Sequence, residues 1–222
     1  MGTSQHEPEA AAGALRLWLS TCILVALCLL ADVGRADGPW RIPVVFHVAL
    51  HEGEPVAPAS FIAEQMAAAN SIFVPLGIEL VERERVALAA EHAELVTRAD
   101  RDVLARYLGK GAIDCFVVAR LMDVDEPGRE RRGVHWHPRP TPSRSFLIVS
   151  KISRPYVLAH ELGHMLGNPR HSDVVGNLMS YQRGDGPPFL DADQIRRVRR
   201  TLAALLKART LVPLASAPSP TP

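Results

Sequence analysis

The chain has 222 residues, enough for one domain with a core of its own plus additional segments. Its formal net charge is +1, so no strong field of one sign points to nucleic acid or to an anionic membrane. Hydrophobic residues make up 47%, ordinary for a globular chain that also carries an apolar leader.

After a polar start, Arg16 precedes the apolar run LWLSTCILVALCLLA, Leu17 to Ala31. A run of that length suits the apolar core of a signal peptide and is short for a membrane span. Gly34 and Ala36 occupy the small positions that a signal peptidase reads, so residues 1–36 are expected to be a signal peptide cleaved after Ala36. The product is expected to be secreted or periplasmic, with membrane attachment only if the leader stays uncleaved. Cys22 and Cys28 fall within the leader, which leaves Cys115 alone in the mature chain. One cysteine forms no internal disulfide and no cysteine-rich zinc knuckle, and its setting in IDCFVVA predicts a buried, inert thiol.

RIPVVFHVAL (residues 41–50) is apolar and β-branched and predicts a strand, with His47 a strand histidine. SFIAEQMAAANSIF (residues 60–73) predicts a helix capped by Ser60, ended by Pro75 and Gly77. GIELVERERVAL alternates and predicts a second strand. RADRDVLARYLGKG predicts a helix stopping at Gly109 or Gly111, and AIDCFVVARLM a buried central strand. Residues 123–144 are rich in Pro, Gly and Arg and predict a loop containing a short edge strand, GVHWH. SFLIVS predicts another strand. A helix then starts near Ser153 and Pro155, with Ser153 as its cap, and stops at Gly167. The last helix, DADQIRRVRRTLAALLKAR, opens on a capping box of Asp191 and Gln194. Its Arg196, Arg197, Arg199 and Arg200 are expected on a solvated face, with no nucleic-acid role. Residues 37–210 are therefore expected to form one α+β domain with a single sheet, and residues 211–222 a disordered tail.

The helix after SFLIVS carries HELGHMLGNPRH, residues 160–171. His160 and His164 are four apart, so their Cβ atoms lie about 5–6 Å apart on one helix face. Two imidazoles so placed reach one zinc ion at about 2.0–2.1 Å. Glu161 is rotated roughly 100° from His160. It is badly placed to be a ligand and well placed to take a proton from a metal-bound water. A catalytic zinc usually has three protein ligands and one open position. No glutamate follows Glu161 anywhere in the chain, so a glutamate on a later helix is excluded as the third ligand. The candidates in order are Arg170, His171 and Asp173. Arg170 has no lone pair to offer, Asp173 is chemically possible, and His171 is the natural nitrogen donor.

HELGHMLGNPRH together with NLMSY resembles the metzincin metalloproteases, whose pattern is H-E-x-x-H-x-x-G-x-x-H followed by a methionine turn. His160, Glu161, His164 and Gly167 match, while one extra residue stands before the third histidine. In the matrixin branch a serine follows that histidine and the turn methionine comes eight residues after it. Here Ser172 follows His171 and Met179 is eight further on, which favours His171. The departure is then one insertion within NPR, in a loop, where insertions are tolerated. The resemblance implies a metzincin-like single mixed sheet with an active-site helix, a methionine turn and a C-terminal helix. It implies Zn2+ held by His160, His164 and His171, with Met179 as an apolar floor. It also implies a role for Tyr181, since in the astacin and serralysin branches a tyrosine two after the methionine contacts zinc or the tetrahedral intermediate. His135 and His137 could bind a second metal, but an edge strand pairing with an extended peptide is favoured.

The expected activity is that of an exported zinc metalloendopeptidase, acting on peptide or protein substrates through water activated by Glu161. The alternatives are an inactive metzincin-fold protein that binds peptides, or a zinc hydrolase of non-peptide amides.

Overall fold

The structure is a computed structural model that describes residues 38–139 and 144–215. The expected leader and the end of the expected tail lie outside the described residues. Among the described residues eight strands and four α-helices follow in chain order. They are β1 Trp40–His51, β2 Glu54–Pro55, α1 Ala59–Phe73, β3 Ile78–Leu88, β4 Glu94–Leu95, α2 Arg98–Asp102, β5 Ile113–Val118, β6 Arg120–Leu121, β7 Gly133–Trp136, β8 Phe146–Ser150, α3 Val157–Met165 and α4 Ala192–Lys207. None of the described helices is long and apolar enough to cross a membrane.

The main sheet is mixed. β1 lies between β3 and β5, both parallel to it, and β2 pairs antiparallel with its end. β5 pairs parallel with β8, and β7 closes the far side antiparallel to β8. A separate two-residue ladder joins β4 to β6. β5 is central and buried at every position, as a strand apolar everywhere but at Asp114 requires, and Asp114 is satisfied by His47.

Side chains alternate across the sheet, and each set has its own core. Ile42, Val44, Phe46, Val48, Cys115, Val117, Leu147 and Val149 pack with α1, α3 and α4. Phe116, Val118, Phe146, Ile148 and Trp136 pack on the opposite face with Leu88, Leu95 and Leu104. Each such side chain contributes roughly 1.5–3 kcal/mol on burial. Burial also pushes the Cys115 thiol up, which makes it inert as expected.

Several local expectations are corrected. α1 begins at Ala59 behind Pro58 and takes no side-chain cap from Ser60. The stretch after Thr97 is α-helical only as far as Asp102 and then tightens to a 3-10 turn over Val103–Tyr107. Ser153 does not cap α3; its hydroxyl donates instead to the Arg132 carbonyl. The cap comes from α1, where buried Gln65 accepts from Leu158 N–H at 3.0 Å and donates to the Arg154 carbonyl at 2.8 Å. The capping box of Asp191 and Gln194 forms as expected. Beyond α4 the chain is held as far as Ala215. Leu211 is buried, Val212 N–H donates to Gly111, and Leu214 N–H donates to Arg41.

Candidate metal centre

α3 presents His160 and His164 to one side, and the turn after Gly167 returns His171 to them. The metal-binding nitrogens of His160, His164 and His171 all lie within 4.8 Å of one another. They form the one such group of three among the described residues. Arg170 and Asp173 are not part of it.

The ring protons can be placed. His160 Nδ1 lies 2.7 Å from the Leu178 carbonyl, and His164 Nδ1 lies 2.8 Å from the Asn168 carbonyl. A carbonyl only accepts, so both Nδ1 atoms carry protons and both Nε2 atoms present lone pairs in the neutral rings. Yet those two Nε2 atoms are 3.2 Å apart, and His164 Nε2 is 3.3 Å from His171 Nε2. Two facing lone pairs are no hydrogen bond. A tetrahedral zinc with bonds of about 2.0–2.1 Å sets its ligand nitrogens about 3.3–3.4 Å apart. Two of the three nitrogen pairs thus stand close to the spacing of ligands on a four-coordinate cation, and all three nitrogens lie within 4.8 Å of one another. Burial pulls His160 down to about 4, and His164 and His171 are lowered for the same reason. All three are thereby kept in the neutral, ligating form.

The supports of these rings come from far along the chain. Met179 N–H donates to Asn177 Oδ1, and Asn177 exchanges two amide hydrogen bonds with Gln194, the third helical residue of α4. That pair fixes the turn whose Leu178 carbonyl aims His160. Ser172 N–H donates to the Met179 carbonyl at 3.0 Å and ties the third histidine to the same turn. Asn168, the first residue of the NPR stretch that holds the one-residue insertion, supplies the carbonyl that holds His164. Its side chain accepts from Arg197 at 2.9 Å, so Arg197 is not one of the solvated arginines.

Met179 is fully buried beneath α3. A Cβ on Gly163 would stand 2.4 Å from Met179 Sδ, so the floor can approach the helix only across a glycine. Glu161 is 7% exposed, and burial pushes its carboxyl up to about 8, opposed by the backbone N–H of His135. A cation held by the neighbouring rings would pull it down again. Gly133 on β7 makes the room for Glu161, because a Cβ there would meet Glu161 Oε1 at 2.9 Å and Val157 Cγ1 at 2.6 Å.

Tyr181 is 63% exposed, with its ring centroid 4.2 Å from that of His171. His135 and His137 meet edge to face with centroids 4.5 Å apart and join no group of three possible ligands among the described residues. His135 Nε2 is buried without a partner. His47 is bonded to Asp114 at 2.9 Å inside the sheet, away from the triad as a strand histidine should be. The triad, Glu161, Tyr181, His135 and the start of β7 line one cavity of about 670 Å³. Gln65, Asn168, Asn177, Gln194 and Gly133 escape sequence reasoning, and apart from the helix-start pattern at Gln194 nothing local marks them.

Sheet, helix, turn and C-terminal helix together define a metzincin-like α+β fold. Among solved structures the chain is similar to metalloproteinase-II from Bacteroides fragilis, with 18% identity and a TM-score of 0.52 over 75% of this chain and 55% of that one. It thus spans little more than half the length of that protein. It is also similar to archaemetzincin from Methanopyrus kandleri, with 16% identity and a TM-score of 0.50 over 76% of this chain and 99% of that one. No family model matches the chain, and no curated protein matches it.

Proposed function

We propose that the protein is an exported zinc-dependent metalloendopeptidase. The observation that carries this reading is the convergence of three imidazole nitrogens within 4.8 Å of one another, with two of the three pairs at 3.2 and 3.3 Å, beside a buried carboxylate in one cavity with an open-edged strand. His160, His164 and His171 would hold Zn2+, and bound zinc supplies Lewis-acid polarisation of a water or a carbonyl. Glu161 takes a proton from the attacking water and delivers it to the leaving nitrogen. The Tyr181 hydroxyl donates to the oxyanion that develops on the substrate carbonyl. β7 pairs on one side only, with β8, so its outer edge offers backbone groups to an extended peptide.

The test is zinc stoichiometry of the purified mature chain paired with casein and peptide-library cleavage. One equivalent of zinc, with cleavage abolished by a chelator and restored by zinc, is expected. Glu161→Gln keeps the carboxylate's shape without its basicity, so zinc content should hold while activity drops ~10²–10⁴-fold. A fully active Glu161→Gln sinks the mechanism. Export rests on the leader, and N-terminal sequencing of secreted protein should begin at or near Asp37.

A further inference from the structure

The cavity beside the triad is lined by three arginines that form no ion pair among the described residues. Arg132 leads into β7, Arg154 lies just ahead of α3, and Arg183 follows Tyr181 by two residues. Three segments distant in sequence thus bring three guanidinium groups to the same cavity as His160 and Glu161. Arg183 is near enough to the other two to feel their charge, which adds to its burial in lowering its pKa.

Other cations around the cavity have partners. Arg131 pairs with Asp123, Arg129 with Glu126, and Arg101 donates to the Met122 carbonyl. Among the described residues no carboxylate forms an ion pair with Arg132, Arg154 or Arg183. The backbones of Arg132 and Arg154 are pinned. The Arg132 carbonyl accepts from Ser150 N–H at 2.8 Å and from the Ser153 hydroxyl, and Gln65 holds the Arg154 carbonyl. All three arginines are exposed at the rim of the cavity, where like charges repel one another within the reach that salt allows, and an anion placed between them relieves that repulsion. Guanidinium groups suit a carboxylate especially well, because their planar forks match its two oxygens.

The strand sets the direction. A peptide laid antiparallel on β7 runs against it, so its residues beyond the scissile bond lie towards Gly133, where Glu161 and Arg132 stand. We infer that Arg132, Arg154 and Arg183 form an anion subsite that selects peptides carrying a carboxylate on the C-terminal side of the cleaved bond. The inference rests on the peptide-hydrolase reading above. The carboxylate belongs either to an Asp or Glu side chain or to the free C-terminus.

Binding without turnover tests it. The probes are fluorescein-labelled alanine octapeptides with Asp or with Asn at both central positions, each made as a free acid and as a C-terminal amide. They are titrated by fluorescence anisotropy against zinc-loaded Glu161→Gln protein. The amidated Asp peptide is expected to bind about tenfold tighter than the amidated Asn peptide, with the gain shrinking in high salt. If the gain appears instead between the free-acid and amide forms of the Asn peptide, the subsite takes the chain terminus. In either case a triple Arg132→Gln, Arg154→Gln, Arg183→Gln variant, with zinc content confirming its fold, should bring the ratio close to one. Equal affinity for all four peptides, or a ratio that survives the triple variant, overturns the inference. A protein that prefers the acid yet cleaves nothing keeps the subsite and loses the hydrolase reading; one that cleaves without preference does the reverse.

Discussion

Adding one methyl group at Gly133 separates the chemistry of the centre from its capacity to hold metal. The Cβ of Gly133→Ala would stand 2.6 Å from Val157 Cγ1 and 2.9 Å from both Cγ and Oε1 of Glu161. Carbon atoms rest about 3.5–4.0 Å apart, so α3 and β7 must part by roughly 1 Å or the Glu161 side chain must swing aside. Overpacking of that kind costs about 1–3 kcal/mol of stability, and a domain this size loses about 2–4 °C in Tm per kcal/mol. A misplacement of about 1 Å at a reacting group costs on the order of 10²-fold in rate. The triad lies on other side chains, so zinc content should stay near one equivalent. Gly163→Ala is the counter-experiment. Its Cβ would press into Met179 Sδ at 2.4 Å and disturb the turn that aims His160, so it should weaken zinc binding itself. The assays are metal analysis, a thermal melt and peptide cleavage at matched zinc occupancy. A Gly133→Ala protein with unchanged kcat and Tm would refute the claim that this glycine places Glu161.

His171→Ala should lose zinc and activity while Arg170→Ala keeps both; if Asp173→Ala strips the metal and His171→Ala does not, the third ligand is misassigned. Tyr181→Phe keeps the ring against His171 and removes the hydroxyl, so kcat should fall on the order of 10–10³-fold with KM little changed, whereas a tyrosine that only packs leaves kcat alone. Gln194→Leu strands the buried amide of Asn177 and should cost about 1–3 kcal/mol in a denaturant melt. Zinc affinity, read by competition with a chromophoric chelator, should drop about 10–100-fold, and an unchanged affinity would break the proposed link from α4 to His160.

What could be read from the sequence is what neighbours along the chain determine. His160, Glu161 and His164 are legible because helical spacing alone puts them together, and the Asp191 capping box because it spans one turn. The run of β5, apolar but for Asp114, marks a strand buried on both faces, and the glycine after Leu166 marks a helix end, where Gly167 takes φ +95. The misread positions depend on partners far away. Ser153 looks like a cap until the Arg132 carbonyl competes for its hydroxyl, and the task passes to Gln65, 93 positions from the N–H it accepts. Arg197 looks solvated until the fold sets the Asn168 side chain against it. Asn177 and Gly133 have no local signature: one matters through an amide 17 residues on, the other through a side chain it lacks.

The rings of the triad are aimed by groups made after them. Leu178 comes after His160, Asn168 after His164, and the amide behind the turn belongs to Gln194, thirty positions beyond His164. A growing polypeptide therefore carries HELGH well before it has the parts that orient those histidines, and the last of them arrives only when α4 emerges and docks. Translation stopped between His171 and that helix yields a chain with three metal-seeking residues and no assembled centre. For a protein read as a peptide hydrolase, biosynthetic order itself acts as a safety catch, keeping the cutting apparatus unbuilt until the whole domain has left the ribosome.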